Sequence, residues 1–298
     1  MDMQRIDPHD LPVPKLHQLM LATIAPRPIA LVSSVDESGN HNLSPFSFYN
    51  AFGVNPTTLI FSPSRRGRDN TTKHTYENVR EIPEVVINAV SYGMVEQVSL
   101  ASTEYPKGVD EFIKSGLTPL PASIVRPMRV AESPVQYECK VREVIETGQE
   151  GGAGILVMCE IVMIHLRAEI LNEDGHVDPD RIDLVGRLGG DYYVRASGEA
   201  VFKVAKPLQR LGIGVDRLSE EIRLSEVLTG NDLGRLGNLE ALPTAAQIQQ
   251  AREMDEVREI LTRFASRPEE RRRRLHGFAK LFLEREKPLL ALSILMAE

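Results

Sequence analysis

The sequence predicts a mainly β fold with helical additions, followed by an α-helical extension at the C-terminus. Three observations carry this reading. Between Pro26 and Asn88, runs rich in β-formers are separated by clusters of turn residues. Between Glu132 and His165 the same texture returns. From about Ala200 onward, glycine and β-branched residues thin out and helical spacing takes over. The expected division is a β-rich domain over residues 1–199 and a helical extension over 200–298.

The first segment, Arg27–Val35, runs into Asp36-Glu37-Ser38-Gly39-Asn40, a turn cluster that starts a hairpin. The return strand is expected over Asn42–Ala51, where small hydroxyl and amide side chains alternate with aromatics. Core packing does not choose two serines and an asparagine; a face against a flat polar ring does. Thr58–Ser62 is a third short strand. It leads to Arg65, Arg66 and Arg68, then through Asn70–Thr75 into a helix around Tyr76–Val79, with Thr71 or Thr72 as candidate cap. A helix start offers unpaired N–H groups and a positive dipole end, so hydroxyls, Lys73 and the arginines there suit a phosphate. Val85–Val90 closes the unit as a strand.

Further on, Val135, Tyr137, Cys139 and Val141 alternate with Gln136, Glu138, Lys140 and Arg142, which predicts one buried and one wet face. After the Gln149–Gly154 turn, Ile155–Ile164 is apolar on both faces except at Glu160, as in a strand inside a barrel or at a subunit interface. His165 ends that run and has two readings: a partly buried histidine bonded to backbone, or a polar group facing a cofactor. In Arg187–Tyr193 the paired glycines read either as a turn beside two aromatic core residues or as a close approach of backbone to a ligand. Thr244–Arg267 and Pro268–Glu298 show helical stripes, Ile248, Ala251, Val257, Ile260, Leu261 and Phe264 in one and Leu275, Phe278, Ala279, Phe282 and Leu283 in the other. Leu228–Asn238 reads as an ordered loop.

Composition bounds the function. At 298 residues and 42% hydrophobic content the chain builds a sizeable core. The formal charge of −7 is uneven, with 18 basic against 27 acidic residues over 1–200 and 17 against 15 over 201–298. No basic face for nucleic acid dominates. Arg271–Arg274 is flanked by Glu269, Glu270, Glu284 and Glu286, which favours a solvated, salt-bridged surface. Cys139 and Cys159 lack metal-ligand spacing, Asp178, Asp180 and Asp183 lack a full calcium pattern, and no metal is expected. With no secretory leader and no apolar stretch long enough to span a membrane, a cytoplasmic protein without membrane attachment is expected. Gly212-Ile213-Gly214 lacks the third glycine of a dinucleotide fingerprint, so any nicotinamide binds without a Rossmann domain.

Taken together, "RPIALVSSVDESGNHNLSPFSFYNAF", "LIFSPS", "KHTYEN", "VINAVS", "STEYPKGVDEF" and "RLGGDYYVR", over roughly residues 10–197, resemble the flavin reductase-like family of FMN-binding split β-barrels. The resemblance implies flavin contacts for Ser44, Ser47, Phe48, Asn50 and Ala51, with Ser62 nearby. It implies a phosphate end at Lys73 and Thr75, with Thr71 and Thr72 beside them, and adds Arg27, Asn88, Gly190 and Tyr192 to the cofactor-binding set. His165 becomes the candidate catalytic residue facing the flavin or nicotinamide. The common Lys-Asp-Thr stands here as Lys73-His74-Thr75; a protonated histidine suits a phosphate better than a carboxylate does. The implied activity is that of an NAD(P)H-dependent flavin reductase, with FMN as cofactor and NADH or NADPH as hydride donor, supplying reduced flavin to a partner monooxygenase. The alternatives are an FMN-retaining carrier, an FMN enzyme acting on a small organic substrate, or a non-catalytic flavin-binding protein. The resemblance also implies a homodimer; the helical extension lies outside the family's minimal domain and reads as a dimer brace first, with a lid over the flavin or a docking arm as alternatives.

Overall fold

In the computed structural model, which describes residues 2–206 and 211–298, the predicted hairpin forms. Strand β1 (Ala30–Val35) pairs antiparallel with β2 (His41–Phe46). Asp36 accepts from the Asn40 N–H and side-chain amide, and Gly39 supplies the left-handed turn at φ +86°. The return strand does not continue to Ala51. It breaks at Ser47–Phe48 and resumes as β3 (Tyr49–Val54), which pairs with β4 (Thr57–Phe61).

The remaining strands are β5 (Glu84–Ala89), a short pair β6 (Pro119–Leu120) and β7 (Arg129–Val130), the long β8 (Val135–Glu146) and β9 (Ile155–Leu166), and a second short pair β10 (Val185–Arg187) and β11 (Tyr193–Arg195). The main sheet runs β2-β1-β5-β8-β9-β4-β3, antiparallel throughout. Laid flat, its two edges would stand about 29 Å apart at roughly 4.8 Å per strand. Yet β2 and β3 are those edges, joined by two residues, and three peptide steps reach at most about 11 Å. The sheet must therefore roll up, leaving an open seam between β2 and β3: a split barrel.

One core cluster holds Ala30, Val32, Phe46, Phe61, Ile87, Cys139 and Val157, with Val79 of helix α2 (His74–Glu81) joining it; burial pushes the Cys139 thiol up to about 12. A second cluster holds Leu31, Leu43, Val90 and Met94 with Val98 of α3 (Val95–Leu100) and Phe112 of α4 (Glu111–Ser115). Strand β1 is buried along its whole length because layers cover both faces. Two further helices of this unit are α1 (Val13–Thr23), without a buried residue, and α5 (Pro179–Ile182).

The predicted wet face of β8 needs correction. Lys140 and Arg142 are exposed, but Gln136 and Glu138 are buried. Glu138 accepts the N–H groups of Ser123, Ile124 and Val125 at 2.7, 2.6 and 3.2 Å, so a loop closes over what the alternation assigned to solvent. Strand β9 is buried at its start, at Ile155, Val157 and Cys159, and open at its end, where Met163, Ile164 and Leu166 are 39%, 52% and 41% exposed in the single chain.

The chain divides into two units, the first running through Phe202 and the second starting at Lys203. The second is helical: α6 (Glu220–Arg223), α7 (Gly230–Gly237), α8 (Ala245–Arg252), α9 (Asp255–Arg263), α10 (Pro268–Glu284) and α11 (Pro288–Leu295). Both predicted stripes reach its core, where Ala251, Val257, Leu275, Ala279 and Leu283 are buried. Each predicted helix is two, however, and the expected loop at 228–238 contains α7. A capping box between Thr229 and Asp232 starts that helix, and Leu236 fixes it in the core despite three glycines. Arg271 and Arg272 pair with Glu298 at 2.9 and 3.3 Å, and Arg274 pairs with Glu270 at 3.7 Å, so the arginine run is salt-bridged. Among the described residues, no helix is long and apolar enough to cross a membrane.

Within this unit His276 is buried and its Nδ1 lies 2.6 Å from Ser225 Oγ. Burial first, then Arg272, lowers its pKa below the ordinary 6.5, against an opposing pull from Glu298. Below pH 6.5 the unfolded chain takes up a proton that the folded one resists, so stability falls with falling pH until the folded imidazole itself protonates. Thermal unfolding of the helical unit should accordingly move to lower temperature as pH drops through this window, and His276→Asn should flatten that slope. An unchanged slope in the variant would remove His276 as its cause.

Candidate functional site

A shallow polar cleft, open to solvent, lies at the N-terminus of α2. Strand β2 contributes Asn42 and Ser44, the loop before α2 contributes Arg66 and Lys73, the helix contributes His74 and Thr75, and the segment after α3 contributes Ala101–Tyr105. Neither Thr71 nor Thr72 caps the helix. The N-cap is Lys73, with no side-chain cap hydrogen bond. Thr72 instead donates to Glu77 at 2.9 Å, and Thr71 donates to Asp69 at 2.6 Å. No side chain caps the helix start, and its first two residues, His74 and Thr75, line the cleft, an arrangement that suits an anion.

Fixed hydrogen bonds set the walls. Thr75 is buried, and its hydroxyl accepts from the Asn42 amide at 2.9 Å, tying α2 to β2. Arg66 is held by Thr71 Oγ1 at 3.0 Å and by the Thr72 carbonyl, while its Nε meets Glu104 at 2.9 Å. Lys73 Nζ reaches the same Glu104 oxygen at 3.4 Å. The hydrogen bond from Arg66 is the first cause that holds the Glu104 carboxyl below the ordinary range, with the Lys73 and Arg66 charges adding to it. His74 is half-buried; desolvation, with the charges of Arg66, Lys107 and Lys73, lowers its pKa against the raising effect of Glu77. Glu111, also in the lining, is buried and accepts the Leu43 N–H at 3.0 Å, and burial raises its pKa.

A second set of predicted residues gathers at the barrel seam. Arg27 is buried and donates to the carbonyls of Leu21 and Ile24, both at 2.6 Å, to the Leu188 carbonyl at 2.9 Å, and to Ser47 Oγ at 3.3 Å. Burial first, then the nearby Arg187, lowers its pKa. Phe48 meets the His17 ring edge-on at 6.1 Å. Asn50 and Ala51 lie exposed on edge strand β3.

A sequence model of the flavin reductase-like domain matches residues 22–180. The chain belongs to the flavin reductase-like family. An uncharacterised protein of Aquifex aeolicus is 37% identical over 189 residues, covering 63% of this chain and 94% of that relative. Among solved structures, a split-barrel protein of Shewanella frigidimarina named as a flavin reductase is similar at TM-score 0.58 and 27% identity, covering 69% of this chain and all of that one. The 2-nitrobenzoate 2-nitroreductase of Pseudomonas fluorescens is similar at TM-score 0.60 and 26% identity, covering 70% and 100%.

Of the residues named from sequence, this flavin reductase-like chain brings Ser44, Lys73 and Thr75 to the cleft, and Arg27, Ser47 and the Leu188–Tyr192 turn to the seam. Others have structural work. Asn88 has no exposure; its amide donates to the Leu31 carbonyl at 3.0 Å and its oxygen accepts the Val130 N–H at 2.9 Å, which leaves it closed to a cofactor. Ser62 is buried and accepts the Ile155 N–H at 3.1 Å. Gly189 does permit a close approach, but of α1: a Cβ there would stand 3.0 Å from the Cα and Cβ of Ala22. Gly190 takes φ +59° in the turn, and Tyr192 is 75% exposed. His165 lies outside the cleft lining, its Nε2 2.6 Å from Glu138 Oε1. Burial pushes the Glu138 carboxyl up, and three backbone N–H groups with His165 outweigh this and lower it. Arg66, named only as a nearby cation, and Asn42, Glu111 and the whole 101–105 segment with Glu104 are lining residues that sequence reasoning did not assign to the site. The Ser102-Thr103-Glu104 polar run was the available signal.

Glu138→Gln keeps the shape but replaces one accepting oxygen with a donor facing donors. Urea unfolding should show a loss of about 3 kcal/mol. A loss below about 1 kcal/mol would mean the loop does not depend on this carboxylate.

Proposed function

We propose that the protein is an FMN-dependent oxidoreductase, most simply an NADH- or NADPH-dependent flavin reductase that supplies reduced flavin to a partner monooxygenase. The observation that carries this is the uncapped N-terminus of α2 opening into a cleft with Arg66, Lys73 and Ser44, next to the barrel seam of a flavin reductase-like chain. These residues fit the phosphate of FMN, since two cations, hydroxyl donors and helix N–H groups converge there. Lys73 and Arg66 would hold the phosphate, Thr75 and Asn42 would keep the helix end in register, and Ser44, Ser47, Asn50 and Ala51 would contact the ring.

Bound FMN supplies a two-electron acceptor for the nicotinamide hydride. The protein's share is orientation. Strand β3 is an exposed sheet edge beside which the ring would lie, with the Ala51 N–H held by Asn50 Oδ1 at 2.8 Å, and Arg27 donates to Ser47 Oγ at 3.3 Å. The exposed apolar side chains Phe52, Val54, Met163 and Ile164 favour a homodimer. A second reading, direct reduction of a small organic substrate by retained FMN, is favoured by the likeness to the 2-nitrobenzoate 2-nitroreductase.

Mixing the protein with NADH or NADPH and excess free FMN decides between them. Many turnovers of nicotinamide oxidation at catalytic protein concentration are the expected result. Reduction of one bound flavin per chain, without turnover of added flavin, would favour the second reading. Lys73→Ala should weaken FMN binding about tenfold or more by fluorescence titration while leaving riboflavin binding alone. Unchanged FMN affinity would remove Lys73 from the phosphate site.

A further inference from the structure

The cleft contains its own anion. One carboxylate, Glu104, meets three cations: Oε1 takes Arg66 Nε at 2.9 Å and Lys73 Nζ at 3.4 Å, and Oε2 takes Arg68 Nη2 at 2.6 Å. The two oxygens face different ways in function. Arg66 and Lys73 line the cleft, whereas Arg68 is outside its lining, 69% exposed, and paired also with Asp69. Glu104 sits on the irregular segment after α3, between Thr103 and Tyr105 of the same lining.

We propose that Glu104 is a built-in competitor for the phosphate, a specificity-determining residue that sets the protein to exchange its flavin rather than retain it. The inference rests on the reading of this cleft as a phosphate site. A phosphate monoester carries about −1.5 to −2 charges near neutral pH. To use Arg66 and Lys73 it must share them with a carboxylate already there or displace it. Like charges at one cation pair repel, so each cation's attraction is partly cancelled before a ligand arrives. Arg68 gives the displaced carboxylate a second partner outside the cleft, so exchange need not strand it. A flavin without phosphate makes no such demand and is insensitive to Glu104.

The experiment titrates the full-length wild type and Glu104→Gln with FMN and riboflavin by flavin fluorescence, and with inorganic phosphate by calorimetry at low ionic strength. Glu104→Gln keeps side-chain length and removes the charge. It should bind FMN and inorganic phosphate about tenfold or more tightly than wild type, leave riboflavin affinity unchanged, and hold FMN through desalting where wild type releases it. Glu104→Ala, checked for an unchanged unfolding curve, repeats the test without the amide. Equal or weaker binding of both phosphate ligands would overturn the competitor role, and FMN binding by the wild type would then leave the FMN reading standing. If neither protein takes up FMN while the variant still gains affinity for inorganic phosphate, Glu104 keeps its role and the FMN reading falls. If neither protein binds any of the ligands, both are overturned.

Discussion

A two-residue link between the edges of a seven-stranded sheet is the constraint on which the first unit depends. Because Ser47 and Phe48 must carry the chain from β2 to β3, the sheet has to curl, and the point of closure is fixed in sequence rather than found by packing. The link brings a hydroxyl and an aromatic ring to the seam. Arg27 then locks the seam: its guanidinium ties Ser47 to the end of α1 and to the Leu188 carbonyl. One buried guanidinium thus joins three backbone carbonyls and a hydroxyl from separate segments, so the arginine acts as a hub even though its own charge is disfavoured by burial.

What was legible in the sequence follows the range of the signal. The β1–β2 hairpin, β4, β5 and the long β8 and β9 are written in local alternation and turn chemistry, and they appear where expected. The break at Ser47–Phe48 was not legible, because strand-like texture continues through it and only the change of neighbours, a tertiary fact, separates β2 from β3. Gln136 and Glu138 misled the alternation for a similar reason: a loop 13 to 15 residues earlier brings three N–H groups to Glu138 and turns a wet position into a closed one. Helix α7 was hidden by Gly230, Gly234 and Gly237, whose weak helix propensity is overridden by the Thr229–Asp232 capping box and by Leu236. Helix α1 buries no residue, so no core-facing stripe marks it.

The site divides along the same line. Arg66, Lys73 and Thr75 lie on one loop-to-helix junction, where chemistry and proximity are read together. Ser62 and Asn88 have equally suitable side chains, and in sequence nothing distinguishes them from ligand contacts. The difference is that each satisfies a backbone group inside the barrel. Glu104 and Glu111 were missed because they arrive from segments some 30 residues beyond α2's start, and a carboxylate is not what a search for an anion site looks for.

The two ends of the proposed site are built differently, and this has a mechanical consequence. At the proposed phosphate end, Thr75 and Asn42 are buried and bonded to one another, so the helix terminus is tied to the barrel. At the ring end, Asn50 and Ala51 lie on an edge strand exposed along nearly its whole length. A tied anchor fixes register with little loss of freedom on binding, while an open ring face admits a second reactant such as a nicotinamide or a small organic acceptor. Selectivity for a charged tail is then set where the helix is tied to the barrel, and reactivity is left where the protein is accessible. On the proposed reading, the balance of charge among Arg66, Lys73 and Glu104 would govern how long a flavin stays, and the seam would govern what meets it there.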